Sequence, residues 1–141
     1  MSQLPKIEVE SSLNIQKQEE KKDTALNYGN GQLDNLLATQ SLVALMIEAS
    51  VKLIDSNLPE GLISVGKALQ VLHENPTILG LTVSVNVTVK KYDGRKVLLE
   101  IKAYDEVGQI GTGLHERVIV NKKLLLEKAN KRADKLESMD Y

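Results

Sequence analysis

The chain has 141 residues and a formal net charge of -1, with 42% hydrophobic and 26% charged residues. This composition predicts one soluble domain spanning residues 1–141. Only 3% of the residues are aromatic, all of them Tyr. Together with the lack of a basic excess, this disfavours nucleic-acid binding, which uses aromatic stacking and positive charge. The absence of cysteine excludes disulfides and thiolate metal sites.

The N-terminal third of the chain predicts one strand and a long loop. Residues 7–15 alternate apolar and polar side chains, which predicts a first strand after a flexible segment 1–6. Residues 16–23 form a charged run that predicts a solvated loop. Gly29, Asn30 and Gly31 predict that the loop continues toward the next element. No apolar leader is visible, so we expect a cytoplasmic protein.

Residues 38–58 predict a helix that other parts of the protein cover on most sides. One apolar face and a second beside it leave a narrow polar stripe that includes Glu48 and Lys52. Charge interrupts the segment too often for a membrane span. The first face comprises Leu42, Leu45, Met46, Ala49 and Leu53, and the second comprises Val43, Ile47, Val51 and Ile54. Thr39 is expected to cap the N-terminus, and Pro59 to end the helix near Asn57.

The remaining residues predict four consecutive strands and a short surface helix. Gly66 interrupts the first strand, at 62–72, and indicates a bulge or a close approach of the backbone to another group. Asp93 and Gly94 predict a hairpin turn. The other strands are expected at 81–90, 97–103 and 110–120, and the helix, capped by Asn121, at 121–136. The order predicts an α+β fold in which an antiparallel five-stranded sheet wraps around one central helix.

Three stretches contain specific sequence motifs as well as this pattern: DTALNYGNGQLDNLLATQSLVALMIEAS, ISVGKALQVLHENPTILGLTVSVNV and DGRKVLLEIKAYDEVGQIGTGLHERVIV. The chain resembles the hot-dog-fold thioesterases of the fluoroacetyl-CoA thioesterase type from about residue 23 to residue 128. The resemblance implies a hot-dog fold, a homodimer with further assembly to a tetramer left open, and an acyl-CoA substrate. Coenzyme A would enter as part of that substrate, with no other cofactor.

The resemblance also implies a catalytic site built from three places. Thr39 matches the family threonine ahead of the central helix, and His73 matches the histidine at the end of the next strand. The family glutamate directly follows a Leu-Met pair, whereas here Ile47 holds that position and Glu48 comes one residue later. One position rotates a helical side chain by about 100°, so Glu48 is read either as a replacement carboxylate or as the surface partner of Lys52.

Further residues are assigned to binding or structure. Gly66 matches a position where the family's backbone approaches the acyl group, and Ile47 would face the same pocket. Strand alternation places His115 and Arg117 on one face and Glu116 on the other. They are therefore interpreted as structural, or in the case of Arg117 as a contact to the CoA phosphates. No spacing of histidines predicts a metal site.

Three functions follow from this site. The leading hypothesis is an acyl-CoA thioesterase in which His73 is the base and Thr39 assists. The second, motivated by Ile47, is an acyl-CoA binding or sensing module of the same fold with little catalysis. A hot-dog hydratase is disfavoured, because the chain lacks the Asp-x-x-x-x-His spacing of those enzymes.

Overall fold

One five-stranded sheet and a central helix dominate the computed structural model, which describes residues 4–28 and 32–138. The elements in chain order are β1 (Ser12–Gln18), α1 (Thr39–Asp55), β2 (Leu62–His73), β3 (Thr82–Tyr92), β4 (Lys96–Tyr104), β5 (Gln109–Asn121) and α2 (Lys122–Ser138). Two short 3-10 helices, Lys21–Asp23 and Ala25–Tyr28, follow β1. The predicted Gly29–Gly31 loop lies outside the described residues. The predicted fold is confirmed.

The sheet has the strand order β1-β3-β4-β5-β2, and its paired strands are antiparallel. Its inward face is aliphatic, because alternate residues of β3 and β4 point to the same side. The buried set is at most 2% exposed and consists of Val83, Val85, Val87, Val89, Val97, Leu99, Ile101 and Ala103. The order leaves β2 with one unpaired edge and places β1 at the opposite edge.

Helix α1 buries one face against this sheet and partly covers a second, on which Ile47 is exposed. The predicted first face is buried, with Leu42, Met46 and Ala49 at 0% exposure. Ile54 is also buried, but Ile47 on the predicted second face is 36% exposed. Val43 and Val51 on that second face are partly buried, so the prediction that the helix is covered on most sides holds except at Ile47.

Strand β1 and the charged run that follows it differ from their predicted form. Glu10 has a φ of 72°, which interrupts the extended backbone, and the strand begins only at Ser12. It then continues into the charged run, where Glu19 is 3% and Asp23 8% exposed. The predicted solvated loop is wrong, because the inward-facing alternation of Leu13 and Ile15 extends to Lys17 and Glu19.

The turns and the C-terminal helix follow their sequence signals. Gly94 has a φ of 98° in the β3–β4 hairpin, a conformation that favours glycine. The register of β2 against β5 shifts between Gly66 and Ala68, which confirms the bulge. Asn121 Oδ1 accepts the Leu124 N–H at 3.0 Å and caps the exposed helix α2. None of the helices in the described ranges is long and apolar enough to cross a membrane.

Candidate active site

Thr39 and His73 are brought into direct contact by the packing of α1 on the sheet. Thr39 is the first residue of α1 and His73 the last residue of β2, and their Oγ1 and Nδ1 atoms lie 2.8 Å apart. Ala38 is the N-cap residue, and it provides no side-chain cap. The prediction that Thr39 caps the helix is therefore wrong. Its hydroxyl is instead available to the imidazole.

The surroundings of His73 keep its ring neutral. Burial lowers the pKa of His73, and its interaction with the Asn75 backbone opposes this only in part. Its Nε2 atom is buried and has no hydrogen-bond partner among the described residues. Gly111 lies opposite His73 in β5, where a Cβ would come within 2.4 Å of the Leu72 carbonyl oxygen. The glycine thus allows the two backbones to approach closely at the residue beside the imidazole.

A cavity of about 430 Å³ opens at this pair, and we call it the Thr39 cavity. Its walls are apolar on the side formed by Leu33, Leu36 and Leu37, and Thr39 and His73 lie on its lining. The N-terminus of α1 borders it, where the backbone amides of a first turn lack partners within the helix and favour negative charge. The arrangement combines a hydroxyl, a neutral base and an anion-stabilising helix end.

The structure does not bring Glu48 to this pair. Nine residues separate Glu48 from Thr39 on α1, so the two side chains leave opposite sides of the helix, about 180° apart. Glu48 lines a different cavity and lies 3.7 Å from Lys52 Nζ, in an exposed ion pair. Ile47 is about 80° from Thr39 and therefore leaves the same flank of α1. An apolar side chain, rather than a carboxylate, lies on the Thr39 side.

His115 and Arg117 belong to a buried hydrogen-bond network inside the sheet. Arg117 donates to Ser64 Oγ and to the Ser64 carbonyl oxygen, both at 2.8 Å. The Ser64 hydroxyl in turn donates to Asp55 Oδ1 at 2.5 Å. His115 Nδ1 lies 2.8 Å from the Ala68 carbonyl, and its Nε2 lies 3.1 Å from Arg117 Nη1.

This network fixes the state of both side chains. A carbonyl oxygen only accepts and a guanidinium only donates, so His115 carries its proton on Nδ1 and accepts on Nε2. Burial and the adjacent Arg117 lower the pKa of His115, consistent with a neutral ring. Arg117 is 5% exposed, so contact with CoA phosphates would require it to leave Ser64. The predicted common face of His115 and Arg117 is confirmed by their burial.

Gly66 lies at the β2 bulge, against the same network. A Cβ there would meet Arg117 Nη1 and His115 Cε1 at 3.5 Å, which are ordinary contacts. Crowding therefore does not require a glycine at this position. The predicted approach of its backbone to an acyl group remains a prediction.

Sequence reasoning missed Glu19, a buried carboxyl beside α1. Burial, with a smaller contribution from the charge of Asp23, raises the pKa of Glu19 to about 7. The signal was present, because the inward alternation of Leu13 and Ile15 reaches Glu19 after four further residues. Within the ranges that the structure describes, no group of His, Asp or Glu side chains is placed to hold a metal ion.

Comparison with known proteins agrees with the fold. Residues 20–123 match the profile of the family described as fluoroacetyl-CoA-specific thioesterase. The fluoroacetyl-CoA thioesterase of Streptantibioticus cattleyicolor is 35% identical over 99 residues, which cover 70% of this chain and 68% of that protein.

Two solved structures are similar over most of the chain. The first is a hot-dog-like protein from Thermanaerovibrio acidaminovorans, with a TM-score of 0.84 and 33% identity over 89% of this chain and 93% of that one. The second is a single-residue variant of the thioesterase FlK in complex with fluoroacetate and CoA. It has a TM-score of 0.78 and 26% identity over 84% of this chain and 99% of that one.

The sheet, its central helix and these similarities define a protein of the hot-dog thioesterase class. The chain belongs to the fluoroacetyl-CoA-specific thioesterase family. The resemblance of the sequence to that family is confirmed.

Proposed function

We propose that the protein is an acyl-CoA thioesterase that hydrolyses a small acyl-CoA. The observation that carries the proposal is the 2.8 Å contact between Thr39 Oγ1 and His73 Nδ1. A hydroxyl in hydrogen-bond reach of a neutral imidazole is the arrangement of an activated nucleophile. The matching family and its CoA-bound member support the choice of an acyl-CoA as the substrate.

In the proposed reaction His73 acts on the Thr39 hydroxyl. Thr39 Oγ1 attacks the thioester carbonyl carbon while its proton passes to His73 Nδ1. The C–S bond then breaks, and the leaving CoA thiolate takes the proton from the imidazolium. His73 next deprotonates a water that attacks the acyl-threonine, which returns the proton to Thr39 and releases the acid. We favour Thr39 over water as the group that His73 deprotonates first, because Nδ1 contacts Oγ1, whereas Nε2 is buried.

The helix end would stabilise the charge that develops during this attack. The carbonyl oxygen becomes an oxyanion in the tetrahedral intermediate, and the unpaired amides of the first turn of α1 are oriented to donate to it. The apolar wall of Leu33, Leu36 and Leu37 would exclude water and accept the acyl group. No step requires a cofactor, and coenzyme A takes part only as the leaving group.

We further propose that the protein is a homodimer in the cytoplasm, where acyl-CoA substrates are held. Strand β2 has an unpaired edge, which is a template for pairing with a second strand. Large apolar side chains near it are exposed, with Leu72 at 56% and Leu114 at 46%. Ile47 on α1 adds to this open apolar surface. Size-exclusion chromatography with light scattering should give twice the mass of the chain, and four times the mass would indicate a tetramer.

A free-thiol assay with short, branched and aryl acyl-CoAs tests the activity. We expect CoA release from at least one small acyl-CoA, with a loss of 100-fold or more in His73→Ala. His115→Asn is the matched control, because it removes the other imidazole but lies in the buried network. Binding of acyl-CoA without release by the native protein would contradict the proposal and favour a binding module instead.

A further inference from the structure

The segment that follows His73 forms one wall of the Thr39 cavity. Residues 74–76 line the cavity, and we call residues 74–79 the post-β2 segment. Thr77 in this segment is 0% exposed, and a buried hydroxyl needs a hydrogen-bond partner. Thr77 Oγ1 donates to Asp105 Oδ2 at 2.8 Å. Its partner therefore lies in the turn between β4 and β5, 28 residues further along the chain.

The post-β2 segment also pairs with the residues that lead into α1. The Leu37 N–H donates to the Thr77 carbonyl oxygen at 2.9 Å, and the Leu79 N–H donates to the Asn35 carbonyl oxygen at 2.8 Å. Thr39 follows Leu37 by only two residues. A displacement of the segment at Thr77 would therefore reach the start of α1 through one backbone hydrogen bond.

The start of β5, directly after the same turn, holds the other end of the segment next to His73. The N–H groups of Glu74 and Asn75 donate to the Ile110 carbonyl oxygen at 2.8 Å and 3.1 Å. Asn75 Nδ2 donates to the Gln109 carbonyl oxygen at 2.9 Å. The β4–β5 turn and the first residues of β5 thus anchor the segment beside both members of the catalytic pair.

The Asp105 carboxylate is itself held in place by the turn. Its Oδ1 atom accepts from the N–H groups of Val107 at 2.8 Å and Gly108 at 3.1 Å, while Oδ2 accepts from Thr77. Burial raises the pKa of Asp105, but these hydrogen bonds outweigh burial and hold the pKa below its usual value. Hydrogen bonds to an ionised acceptor are stronger than those between neutral groups. Asp105 is therefore a fixed, charged anchor for the Thr77 hydroxyl.

We propose that Asp105 is a positioning residue, which acts through Thr77 to set the separation of Thr39 and His73. Its effect on the rate rests on the proposed hydrolysis, whereas its effect on the contact can be measured without substrate. Removing the Thr77 hydroxyl leaves Asp105 with its two amide partners, so the turn persists while the segment loses its side-chain anchor. A misplacement of about 1 Å between reacting groups can lower a rate by about 100-fold.

The kinetic test uses Thr77→Val, which keeps the shape of the side chain and removes its hydroxyl. We expect kcat for CoA release to fall by about tenfold or more while KM changes by less than about twofold, and Thr77→Ser to restore most of the loss. Asp105→Ser retains an acceptor for the turn but is too short to reach Thr77, so it should lower kcat similarly. Combining it with Thr77→Val should cause little further loss, because both changes remove one hydrogen bond.

Asp93→Asn is the matched control. Asp93 holds the β3–β4 turn in the same way, since its Oδ1 atom accepts from the N–H groups of Arg95 at 2.9 Å and Lys96 at 2.7 Å. These bonds stay within their own turn and do not reach the Thr39 cavity. Weakening this turn should leave kcat unchanged, which separates positioning from a general loss of turn stability.

Nitrogen NMR of the imidazole rings tests the contact without substrate. The chain has two histidines, so the His73 signals are assigned by their persistence in His115→Asn. Thr39→Ala gives the chemical shift of His73 Nδ1 without its hydroxyl partner. We expect Thr77→Val to move the Nδ1 signal toward that value, and Asp93→Asn to leave it where it is in the native protein.

Three results would overturn the proposal. They are an Nδ1 signal in Thr77→Val that matches the native protein, a native kcat in that variant, and an equal loss of kcat in Asp93→Asn. If the native protein hydrolyses no acyl-CoA, the proposed function fails, and the Nδ1 signal alone decides the role of Asp105. If Thr77→Val does not fold, the same measurements on Asp105→Ser decide it.

Discussion

Thr39 Oγ1 and His73 Nδ1 meet at 2.8 Å although 34 residues separate them in the chain. The contact joins the first residue of α1 to the last residue of β2, so the relative position of helix and sheet sets its length. The pair is therefore the natural target for the first mutations.

Thr39→Ala should lower the turnover of acyl-CoA by 100-fold or more, because it removes the hydroxyl that His73 contacts. Thr39→Ser keeps a hydroxyl and should lose less than about tenfold. The free-thiol assay measures both, and mass spectrometry of the quenched native enzyme should show one acyl adduct on Thr39. Turnover in Thr39→Ala close to that of the native protein would indicate that His73 deprotonates a water molecule, and that this water, not Thr39, attacks the thioester.

The pH dependence of turnover should report the environment of His73. Burial lowers the pKa of its imidazole below the ordinary value of 6.5, so the ring remains a neutral base at mildly acidic pH. We expect the acid limb of kcat/KM to have its midpoint below pH 6.5. Measuring CoA release from pH 5 to pH 8 by direct absorbance of the thioester gives this midpoint. A midpoint above 6.5 would mean that an opposite charge, and not burial, controls the ring.

Glu19 should make the protein less stable as the pH rises. Its pKa is raised from 4.5 to about 7 in the folded state, so the folded chain binds the proton more tightly than the unfolded chain does. The favourable contribution is complete below pH 4.5 and is lost as the pH rises through 7. Relative to Glu19→Gln, the native protein should lose about 2 to 3 kcal/mol of unfolding free energy between pH 5 and pH 8.

Urea unfolding of both proteins at the two pH values measures this difference, and comparison of the two cancels the titration of His73. Glu10→Gln serves as the control and should follow the native protein, because Glu10 is solvent-exposed. A constant difference between the native protein and Glu19→Gln at pH 5 and 8 would show that the Glu19 carboxyl has an ordinary pKa.

Much of the fold could be predicted from the sequence, because the alternation of apolar and polar residues along a strand matches which side chains the folded sheet buries. The alternating aliphatic side chains of β3 and β4 are buried, and the glycine signals at Gly66 and Gly94 mark a real bulge and turn. Glu19 escaped because its charge was taken as a sign of exposure, whereas its place in the strand alternation determines its burial. For Glu19 the local charge predicted exposure and the strand alternation predicted burial, and the alternation was correct.

The candidate site was predicted only in part. Spacing on a helix predicts the direction of its side chains, but it does not predict contacts between a helix and a distant strand. Thr39 and His73 were found through family resemblance, and no periodicity relates them. The position of Glu48 could be judged from the sequence, because a rotation of about 180° from Thr39 follows from spacing alone. The predicted N-cap role of Thr39 was wrong because capping preference considers only neighbouring residues, whereas the Thr39 hydroxyl contacts His73, 34 residues away.

Installing a carboxylate on the Thr39 side of α1 tests whether this flank belongs to the site. Ile47 is partly exposed and leaves the helix about 80° from Thr39. Ile47→Glu should therefore raise the rate of CoA release several-fold, by placing a carboxylate where it can orient the His73 imidazolium. Val51→Glu, one turn further along the helix, is the control and should give no increase. An equal increase in both variants would point to a general charge effect.

Gly111 and Gly66 offer a matched pair for the packing beside His73. At Gly111 a Cβ would come within 2.4 Å of the Leu72 carbonyl oxygen, whereas at Gly66 the nearest atoms are at 3.5 Å. Gly111→Ala should therefore lower the unfolding free energy by about 1 to 3 kcal/mol, and Gly66→Ala by less than about 0.5 kcal/mol.

Activity separates the two glycines further. Because Gly111 lies opposite His73 in the sheet, forcing β2 and β5 apart at that point should displace the imidazole from Thr39 and lower kcat in Gly111→Ala. Gly66→Ala should keep its kcat and raise KM if the Gly66 backbone approaches the acyl group. Unchanged kcat and KM in Gly66→Ala, measured by CoA release over a range of substrate concentrations, would confine Gly66 to its structural role in the bulge.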